Sequence, residues 1–422
     1  MNTSTLVTSA LLGFHTVAAA LNVVPAVRSW TPAEGVFNAM GAVIHLAAAD
    51  AAALQPVAEA FRRDLAAAGC GDWAIASREN PGGGRACVLM LDPEGVFAKD
   101  AEGYFIGIGK DAVVVKAATP VGVFYGTRTL LQLLARDPGK PTLPCGEIRD
   151  APQYRHRMLM LDVARKPFPL PVLKDYLRLM AWYKMNELHL HLSDEAFGGL
   201  YTGFRVQCDT FPGLASKDLH YTKAELRELQ DFARDLGITI TPEIDMPGHA
   251  RCFTDYWPEL CLKDHPNYLD VTNPQTIRRM KALLDEMIPV FDAPDFHIGT
   301  DEYRVNGTRE EKERLHEAFR QFINTMNAHI RSRGKNTRIW SGFEHMLGAT
   351  QIDPTVIIDM WETDDARGQI ARGHKATTPA STIPGNHGWS AATWRRTRPR
   401  TTPACSAANC MSGTTRDPPV IP

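Results

Sequence analysis

The stretch DFHIGTDEY, residues 295–303, ends a short apolar run with two adjacent carboxylates, Asp301 and Glu302. Ala293-Pro294 precedes the run, and Asn306-Gly307, a strong turn signal, follows it. The pattern predicts a buried strand that gives way to a loop at the acid pair. Catalytic side chains of parallel α/β barrels lie at this point of a strand, although an acid pair also occurs on loops that only face solvent.

Strand and helix patterns alternate through the middle of the chain. Apolar runs predict six strands, at residues 157–163, 187–192, 237–244, 295–299, 337–341 and 356–360. Helical patterns lie between them, at residues 170–184, 222–236, 274–291 and 308–333. Two of these helices begin with capping boxes, Thr222-x-x-Glu225 and Thr308-x-x-Glu311. This alternation predicts a parallel sheet, and six successive units favour a (β/α)8 TIM barrel over an open sheet.

The chain before the barrel has a different pattern. Helices are predicted over residues 50–69, capped by Asp50, and 119–135, beginning with Thr119-Pro120. Strands are predicted at residues 86–91, 104–108 and 112–117, the last two forming a hairpin. We therefore expect a small α+β domain at residues 23–150, followed by a catalytic barrel domain at residues 151–376.

The two ends of the chain lack these patterns. Residues 377–422 are rich in Thr, Pro, Ala, Arg and Ser, and an eight-stranded barrel takes about 250 residues, so the barrel is expected to be incomplete at its C-terminal end. The segment 377–422 is predicted to be an aberrant or disordered tail. Residues 1–22 are predicted to be a leader or disordered. Because Arg28 is the first basic residue, a signal peptide would lack its positive region, and a cytoplasmic location is favoured over secretion.

Composition narrows the class of protein. The 422 residues are 44% hydrophobic with a net charge of −2, which argues against nucleic acid or an anionic membrane as a partner. No apolar run approaches the length of about 18 residues that predicts a membrane span. The eight cysteines have no paired spacing, so neither a zinc site nor a dense disulfide framework is predicted, although a Cys252–Cys261 bridge stays open. No cofactor or metal and no particular oligomeric state are predicted.

Three other strands end in polar side chains at the same topological place. LDVAR (161–165) ends with Arg165, HLHLSD (189–194) ends with Asp194, and PEIDMPGH (242–249) carries two acids and His249. A single histidine or arginine of this kind is most often structural. Four strands that end this way together predict one pocket ringed by these side chains.

In this order and spacing, the four motifs resemble glycoside hydrolase family 20, the β-N-acetylhexosaminidases. VVPAVRSW (23–30) and GVFYGTRTLLQLL (122–134) are similar to the family's small N-terminal domain, and the likeness fades after about Lys375. Thr300 departs from the commoner HIGGDE form of the fourth motif. With the long segment 195–216, this form looks more like the branch of lacto-N-biosidases and dispersin-type enzymes.

The resemblance implies an exo-acting, retaining hydrolase in which the substrate's own 2-acetamido oxygen attacks the anomeric carbon. It assigns proton transfer to Glu302 and orientation of the acetamido group to Asp301. Adjacent residues leave a strand toward opposite faces, so this pair does not suit the ordinary arrangement of two carboxyl groups about 5–5.5 Å apart. Burial among neighbouring acids is expected to raise the pKa of Glu302.

The resemblance also implies substrate-binding roles for five side chains. Arg165 matches an arginine that binds sugar hydroxyls, while Asp194 and His249 match a network that tunes Glu302. Trp340 and Trp361 end the fifth and sixth strands and match aromatic walls around the acetamido group. The implied substrate is an oligosaccharide or glycoconjugate that contains N-acetylhexosamine.

Three alternatives remain open. His189-x-His191 places two imidazoles on one strand face, as in a metal-dependent barrel hydrolase. A lacto-N-biosidase-type enzyme would release a disaccharide. A truncated, catalytically impaired member would only bind sugar. Since the family's last two strands bring further pocket residues, and Trp389 and Trp394 have no strand pattern around them, we expect lower stability and activity than in an intact relative.

Overall fold

The computed structural model describes residues 21–77, 85–195, 203–361 and 365–377. Two compact units meet in the sequence between Gln153 and Tyr154. Within the described ranges, no helix is both long and apolar enough to cross a membrane. The described cysteines are free thiols, Cys252 and Cys261 among them, so these two do not form a bridge. The predicted leader and the tail beyond Thr377, with Trp389 and Trp394, lie outside the described residues.

The first unit is a seven-stranded mixed sheet covered by two helices. Its strands are β1 (Ser29–Asn38), β2 (Val43–Leu46), β3 (Ile75–Ser77), β4 (Ala86–Leu91), β5 (Tyr104–Ile108), β6 (Ala112–Ala117) and β7 (Thr142–Asp150). They lie in the order β1-β7-β5-β6-β4-β2-β3. The helices α1 (Ala51–Ala67) and α2 (Pro120–Leu134) pack against each other and against the sheet.

Local signals in this unit are confirmed with one exception. The helices and the β5–β6 hairpin lie where predicted, and Thr119 caps α2 by accepting a hydrogen bond from Gly122 N at 3.2 Å. The predicted cap at Asp50 is wrong. Its carboxylate accepts the N–H of Leu91 at 2.8 Å instead, which ties the start of α1 to the end of β4.

The second unit is built on a seven-stranded parallel sheet. Its strands are β8 (Met158–Asp162), β9 (Glu187–His191), β10 (Ser193–Asp194), β11 (Gly203–Phe204), β12 (Thr239–Glu243), β13 (Cys261–Leu262), β14 (His265–Leu269), β15 (Asp295–His297), β16 (Asn336–Trp340), β17 (Ile357–Asp359) and β18 (Lys375–Thr377). The main sheet has the order β18-β17-β16-β15-β12-β9-β8, while β10–β11 and β13–β14 form two small antiparallel pairs. The helices are α3 (Leu170–Trp182), α4 (Lys223–Asp235), α5 (Arg251–Tyr256), α6 (Pro274–Met287), α7 (Arg309–Ser332) and α8 (Ala366–Ala371).

All six predicted strands are confirmed, and both capping boxes form, at Thr222–Glu225 and Thr308–Glu311. The prediction of six strands was nevertheless one too few, because β18 pairs with β17. The sequence of β18, Lys-Ala-Thr, has no apolar run that periodicity could detect. Within the described ranges, β8 and β18 form the two edges of the sheet.

The sheet curls in the manner of a TIM barrel. Arg338 on β16 hydrogen-bonds to Glu187 on β9, and its Nη2 lies 3.6 Å from Met158 Sδ on β8. These strands are three and four places away in the sheet. Adjacent strands are about 4.8 Å apart, so a flat sheet would separate them by more than a side chain can span. Strong curvature brings their inner faces together.

The barrel interior holds a buried ionic cluster around Arg338. Its guanidinium donates to Asp359 at 2.7 Å and to Glu187, and all three side chains are almost fully buried. Burial alone would raise the pKa of Glu187, but the hydrogen bond with His156 and the charge of Arg338 lower it to about 2. The cluster therefore joins β9, β16 and β17 through buried charges, each of which would be unstable there without its oppositely charged partner.

We predict that Arg338→Met destabilises the protein by about 3–5 kcal/mol, because Glu187 and Asp359 would stay buried without their cation. Urea unfolding followed by circular dichroism measures the change. Arg309→Met is the matched control: Arg309 is 87% exposed and its ion pair among the described residues is with Glu313 on the same helix, so no measurable change is expected. Equal stability of the two variants would contradict this account.

Candidate active site

The acid pair lies on a tight turn after β15, not on a strand. Gly299, Thr300 and Glu302 have positive φ angles of 66°, 78° and 53°. A Cβ atom at Gly299 would lie 1.7 Å from Asp245 Oδ1, so glycine is required there. Thr300 N donates to Asp245 Oδ1 at 3.0 Å and holds a β-branched residue in a conformation that it rarely adopts. The expectation that alternating strand faces separate Asp301 from Glu302 is therefore wrong, because the backbone turns between them.

The turn gives the two acids different surroundings. The side chain of Asp301 is 17% exposed and that of Glu302 is 43% exposed. His249 lies between them, with its Nε2 3.5 Å from Asp301 Oδ2 and 3.6 Å from Glu302 Oε2. The expected burial of Glu302 is wrong, since Asp301 is the buried member. Burial raises the pKa of Asp301, although the charge of His249 opposes the shift.

An alternating chain of acids and imidazoles runs from the turn into the barrel. His249 Nδ1 lies 3.2 Å from Asp194 Oδ1, and Asp194 Oδ2 lies 2.5 Å from His191 Nε2. His191 Nδ1 in turn lies 2.6 Å from Glu243 Oε2. Burial disfavours the charged form of both imidazoles, but the neighbouring carboxylates outweigh it and raise the pKa of His191 and of His249. Burial alone would raise the pKa of Asp194, but its hydrogen bonds with His191 and His249 lower it to about 2.

Arg165 is held at the end of β8 by its own turn. Asp162 Oδ1 accepts the N–H groups of Ala164 at 3.0 Å and Arg165 at 2.9 Å, and Asp162 Oδ2 accepts Arg165 Nη1 at 2.7 Å. Arg165 Nη2 lies 2.7 Å from Asp194 Oδ2 and 3.4 Å from His249 Nδ1. A guanidinium thus joins the first strand to the chain of acids and imidazoles.

The two tryptophans occupy different depths. Trp340 Nε1 donates to Glu243 Oε1 at 2.7 Å, and the ring stacks on His189 with centroids 5.5 Å apart. The ring of Trp361 lies 6.5 Å from that of Trp340 and is 55% exposed. The structure therefore joins all seven predicted site residues in one connected group at the carboxyl ends of the strands: Arg165, Asp194, His249, Asp301, Glu302, Trp340 and Trp361.

Other residues of the site were not among the predicted catalytic or substrate-binding residues. Glu243 and His191 belong to the predicted motifs and link them inside the barrel, as described above. Tyr268 on β14 donates its hydroxyl to the carbonyl of Glu302 at 2.8 Å, and this hydroxyl lies 3.3 Å from Arg304 N. Tyr268 supports the turn from a segment that follows a different strand. No local spacing in the sequence connects it to Glu302.

A third acid, Asp245, lies beneath the turn and forms a pair with Asp301. Oxygens of Asp245 and Asp301 and a ring nitrogen of His249 lie within 4.8 Å of one another. Burial raises the pKa of Asp245 well above its ordinary value, and the charges of Asp301 and Glu243 raise it further. Around this pair, Asp245 Oδ2, His249 Nε2, Thr300 Oγ1 and Asp301 Oδ1 are buried without a hydrogen-bond partner among the described residues. Buried polar groups are normally satisfied, so this is where a polar ligand group fits.

Several of these groups could in principle hold a metal ion. His189, Glu243 and His297 bring ligand atoms within 4.8 Å of one another, as do Asp162, His191 and Asp194. In the second arrangement, the guanidinium of Arg165 already supplies a cation between Asp162 and Asp194. In the first, His297 Nδ1 accepts the N–H of Gly299 at 2.9 Å, while neither ring nitrogen of His189 has a hydrogen-bond partner among the described residues. Among the described residues, no such group contains both His189 and His191, so the metal-dependent alternative built on His189-x-His191 is not favoured, and the expected absence of a metal stays a prediction.

Family comparisons agree over both units. The description "Glycosyl hydrolase family 20, catalytic domain" matches residues 154–383, and "Glycosyl hydrolase family 20, domain 2" matches residues 20–151. A solved family 20 β-N-acetylhexosaminidase from Streptomyces coelicolor A3(2) superimposes with a TM-score of 0.72 at 26% identity, covering 84% of this chain and 74% of that one.

Curated relatives are longer than this chain. A lacto-N-biosidase from Bifidobacterium bifidum is 26% identical over 80% of this chain, a match that covers 30% of the relative. A β-hexosaminidase subunit A2 from Dictyostelium discoideum is 28% identical over 69% of this chain and 57% of its own length. The chain therefore spans less than two thirds of the length of these relatives.

The contact with Asp245 lowers the pKa of Asp301, so we predict that Asp245→Ala moves this pKa further upward. Asp301 would then take up its proton at higher pH during acidification. Asp245→Asn should leave the titration nearly unchanged, because its amide can accept from Thr300 N and donate to Asp301. ¹³C NMR titration of the Asp301 carboxyl, assigned by its loss in Asp301→Asn, measures both variants. An equal shift in the two would show that a hydrogen bond from residue 245 does not lower the pKa of Asp301.

Proposed function

This chain belongs to glycosyl hydrolase family 20, and we propose that it is an exo-acting β-N-acetylhexosaminidase that retains the anomeric configuration by substrate-assisted catalysis. One observation carries the proposal: a single turn presents a carboxylate that is 43% exposed, Glu302, beside one that is only 17% exposed, Asp301, with His249 between them. Two such acids suit a reaction in which one meets the leaving group and solvent while the other meets a buried polar part of the substrate.

Asp301 is proposed to hold the 2-acetamido group. As a carboxylate it accepts the acetamido N–H, which directs the carbonyl oxygen toward the anomeric carbon. Thr300 Oγ1, which is buried without a hydrogen-bond partner among the described residues, lies where such a polar group would be needed. When the carbonyl oxygen bonds to the anomeric carbon, positive charge develops on the acetamido nitrogen. An ionised Asp301 in a buried site stabilises this charge far more than water would.

Glu302 is proposed to transfer protons. It gives its proton to the glycosidic oxygen as the bond from that oxygen to the anomeric carbon breaks. Water then attacks the anomeric carbon, reopens the oxazolinium-type ring and returns a proton to Glu302. The 43% exposure of Glu302 suits this role, because both the leaving group and the water must reach it. Two displacements at one carbon retain the configuration.

The remaining predicted residues are proposed to bind the terminal sugar. The forked donor of Arg165 suits paired hydroxyl groups, and Asp162 and Asp194 hold it in one orientation. Trp340 is fixed by Glu243, and Trp361 stands exposed beside it, so the two rings can pack against the apolar faces of the sugar and its acetamido methyl. The substrate is thus a β-linked N-acetylhexosamine at the end of an oligosaccharide or glycoconjugate.

Release of 4-nitrophenol from its β-N-acetylglucosaminide tests the activity, and ¹H NMR of the first sugar product tests the stereochemistry. We expect the β-anomer to form first. Appearance of the α-anomer first would exclude the mechanism. The 4-nitrophenyl β-glycoside of lacto-N-biose is the comparison substrate, because release of the intact disaccharide at the higher rate would favour the lacto-N-biosidase alternative.

For Glu302→Gln we expect a loss of about 10²–10⁴-fold with unactivated oligosaccharides, because the leaving oxygen no longer receives a proton. Glycosides with a good leaving group should lose less in the first step, since their departure needs little protonation. Glu313→Gln, on the exposed side of α7, is the matched control. Equal losses on both substrate types in that step would remove Glu302 from the role of acid.

A further inference from the structure

We propose that Arg205 is a positioning residue that holds Arg165 in its substrate-binding orientation. This inference rests on the proposed function, because it concerns the sugar-binding arginine of the same site. Arg205 follows β11 and is fully buried, whereas Arg165 lies at the end of β8. None of the four motifs contains Arg205. Its side chain reaches the backbone of the residue immediately before Arg165.

The contacts of Arg205 use its whole guanidinium. Nε and Nη2 both donate to the carbonyl of Ala164, at 3.0 and 2.8 Å. Nη1 donates to Asp218 Oδ1 at 2.5 Å and to the carbonyl of Leu219 at 2.7 Å. One planar group thus fastens the turn after β8 to the segment that precedes α4. A lysine could not make these contacts together, because its ammonium is a single point on a flexible chain.

The turn before Arg165 is fixed on its other sides as well. The N–H of Ala164 lies 3.0 Å from Asp162 Oδ1 and 3.1 Å from the carbonyl of His191. Arg205 supplies the restraint on the carbonyl of the same peptide segment. Rotation of that carbonyl would turn the following peptide, and with it the Cα–Cβ bond of Arg165, away from Asp194. The restraint on Ala164 therefore adds to the contacts with Asp162 and Asp194 that orient the guanidinium of Arg165.

The same segment also fixes the acid that faces Arg165. Asp194 pairs with Gly203 in the β10–β11 ladder, and Arg205 N donates to the carbonyl of Leu192 at 2.8 Å. A Cβ atom at Gly203 would lie 2.4–2.7 Å from Nε, Cζ and Nη2 of Arg205. Glycine therefore leaves the space that the guanidinium occupies. The short β11 segment positions both partners of the Arg165–Asp194 ion pair.

Two variants displace the guanidinium in different ways. Arg205→Lys removes the fork, and Gly203→Ala crowds it without changing any charge. We expect each to lower kcat/KM by about 10- to 100-fold, mainly by raising KM, because the sugar-binding guanidinium is misplaced. Arg309→Lys, the same exchange at an exposed arginine, should leave both constants unchanged. Cooperative thermal unfolding checks that each variant is folded.

A double-mutant cycle separates positioning from a general structural effect. In an Arg165→Ala background, measured with a reactive aryl glycoside, Arg205→Lys and Gly203→Ala should each cost clearly less than in the parent, because the main residue through which they act is gone and only the effect on Asp194 is left. Equal losses in the two backgrounds, or no loss in the parent, would overturn the proposal. If Arg205→Lys fails to fold, Gly203→Ala decides alone.

A readout without turnover keeps the two proposals separate. The Nε–H signal of Arg165 in a ¹⁵N NMR spectrum, assigned by its loss in Arg165→Lys, reports the order of that side chain. We expect it to shift and exchange faster with water in Gly203→Ala. A protein that cleaves no glycoside but shows this change would refute the proposed function and support the positioning role. An unchanged signal would refute the positioning role whether or not the protein is an enzyme.

Discussion

The ionised carboxylate of Glu243, enclosed in the barrel, is the constraint on which the site depends. Its Oε1 accepts a hydrogen bond from Trp340 Nε1 at 2.7 Å. Its Oε2 lies 2.6 Å from His191 Nδ1 and 3.1 Å from His189 Nε2. Burial would raise its pKa, but the charges of the surrounding imidazoles lower it well below the ordinary value. A buried charge is tolerated only when its partners are in place, so strands β9, β12 and β16 must meet in one register. Through His191 that requirement extends to Asp194, and from there to Arg165 and His249.

The strand and helix pattern of the barrel could be predicted from sequence because each element carries its own local signal. Apolar runs marked six strands, and the capping boxes at Thr222 and Thr308 marked two helix starts. The sequence also predicted that polar side chains from several strands would share one pocket, since parallel strands bring their carboxyl ends to one edge of a sheet. The roles of those side chains came from the family resemblance and stay predictions. Arg165, Asp194 and His249 are far apart in sequence, yet they needed only that rule to be placed together.

What could not be predicted depends on tertiary contacts. The seventh strand, β18, is too short and too polar to show a period. Asp50 has the right residue type for a helix cap, but a nearby strand end offers its carboxylate another donor. Arg205 and Tyr268 act on backbone groups distant in sequence, and no spacing rule relates a side chain to a remote carbonyl. The exposure of Glu302 was mistaken because its burial was inferred from the raised pKa that a general acid needs, whereas the turn decides which of the two acids faces solvent.

That turn shows how backbone geometry and electrostatics are coupled here. Left-handed conformations at Thr300 and Glu302 cost about 1–3 kcal/mol each and persist only where surrounding contacts enforce them. Asp245 enforces the first by accepting the N–H of Thr300. Burial and the charge of Asp301 raise the pKa of Asp245, which lessens the repulsion between two carboxyl groups that share a buried site. The contact with Asp245 in turn lowers the pKa of Asp301, against the effect of burial. One carboxyl group therefore both supports the strained turn and sets the electrostatics of the acid on it. Two adjacent residues of identical charge acquire different chemistry through a single neighbouring carboxyl group.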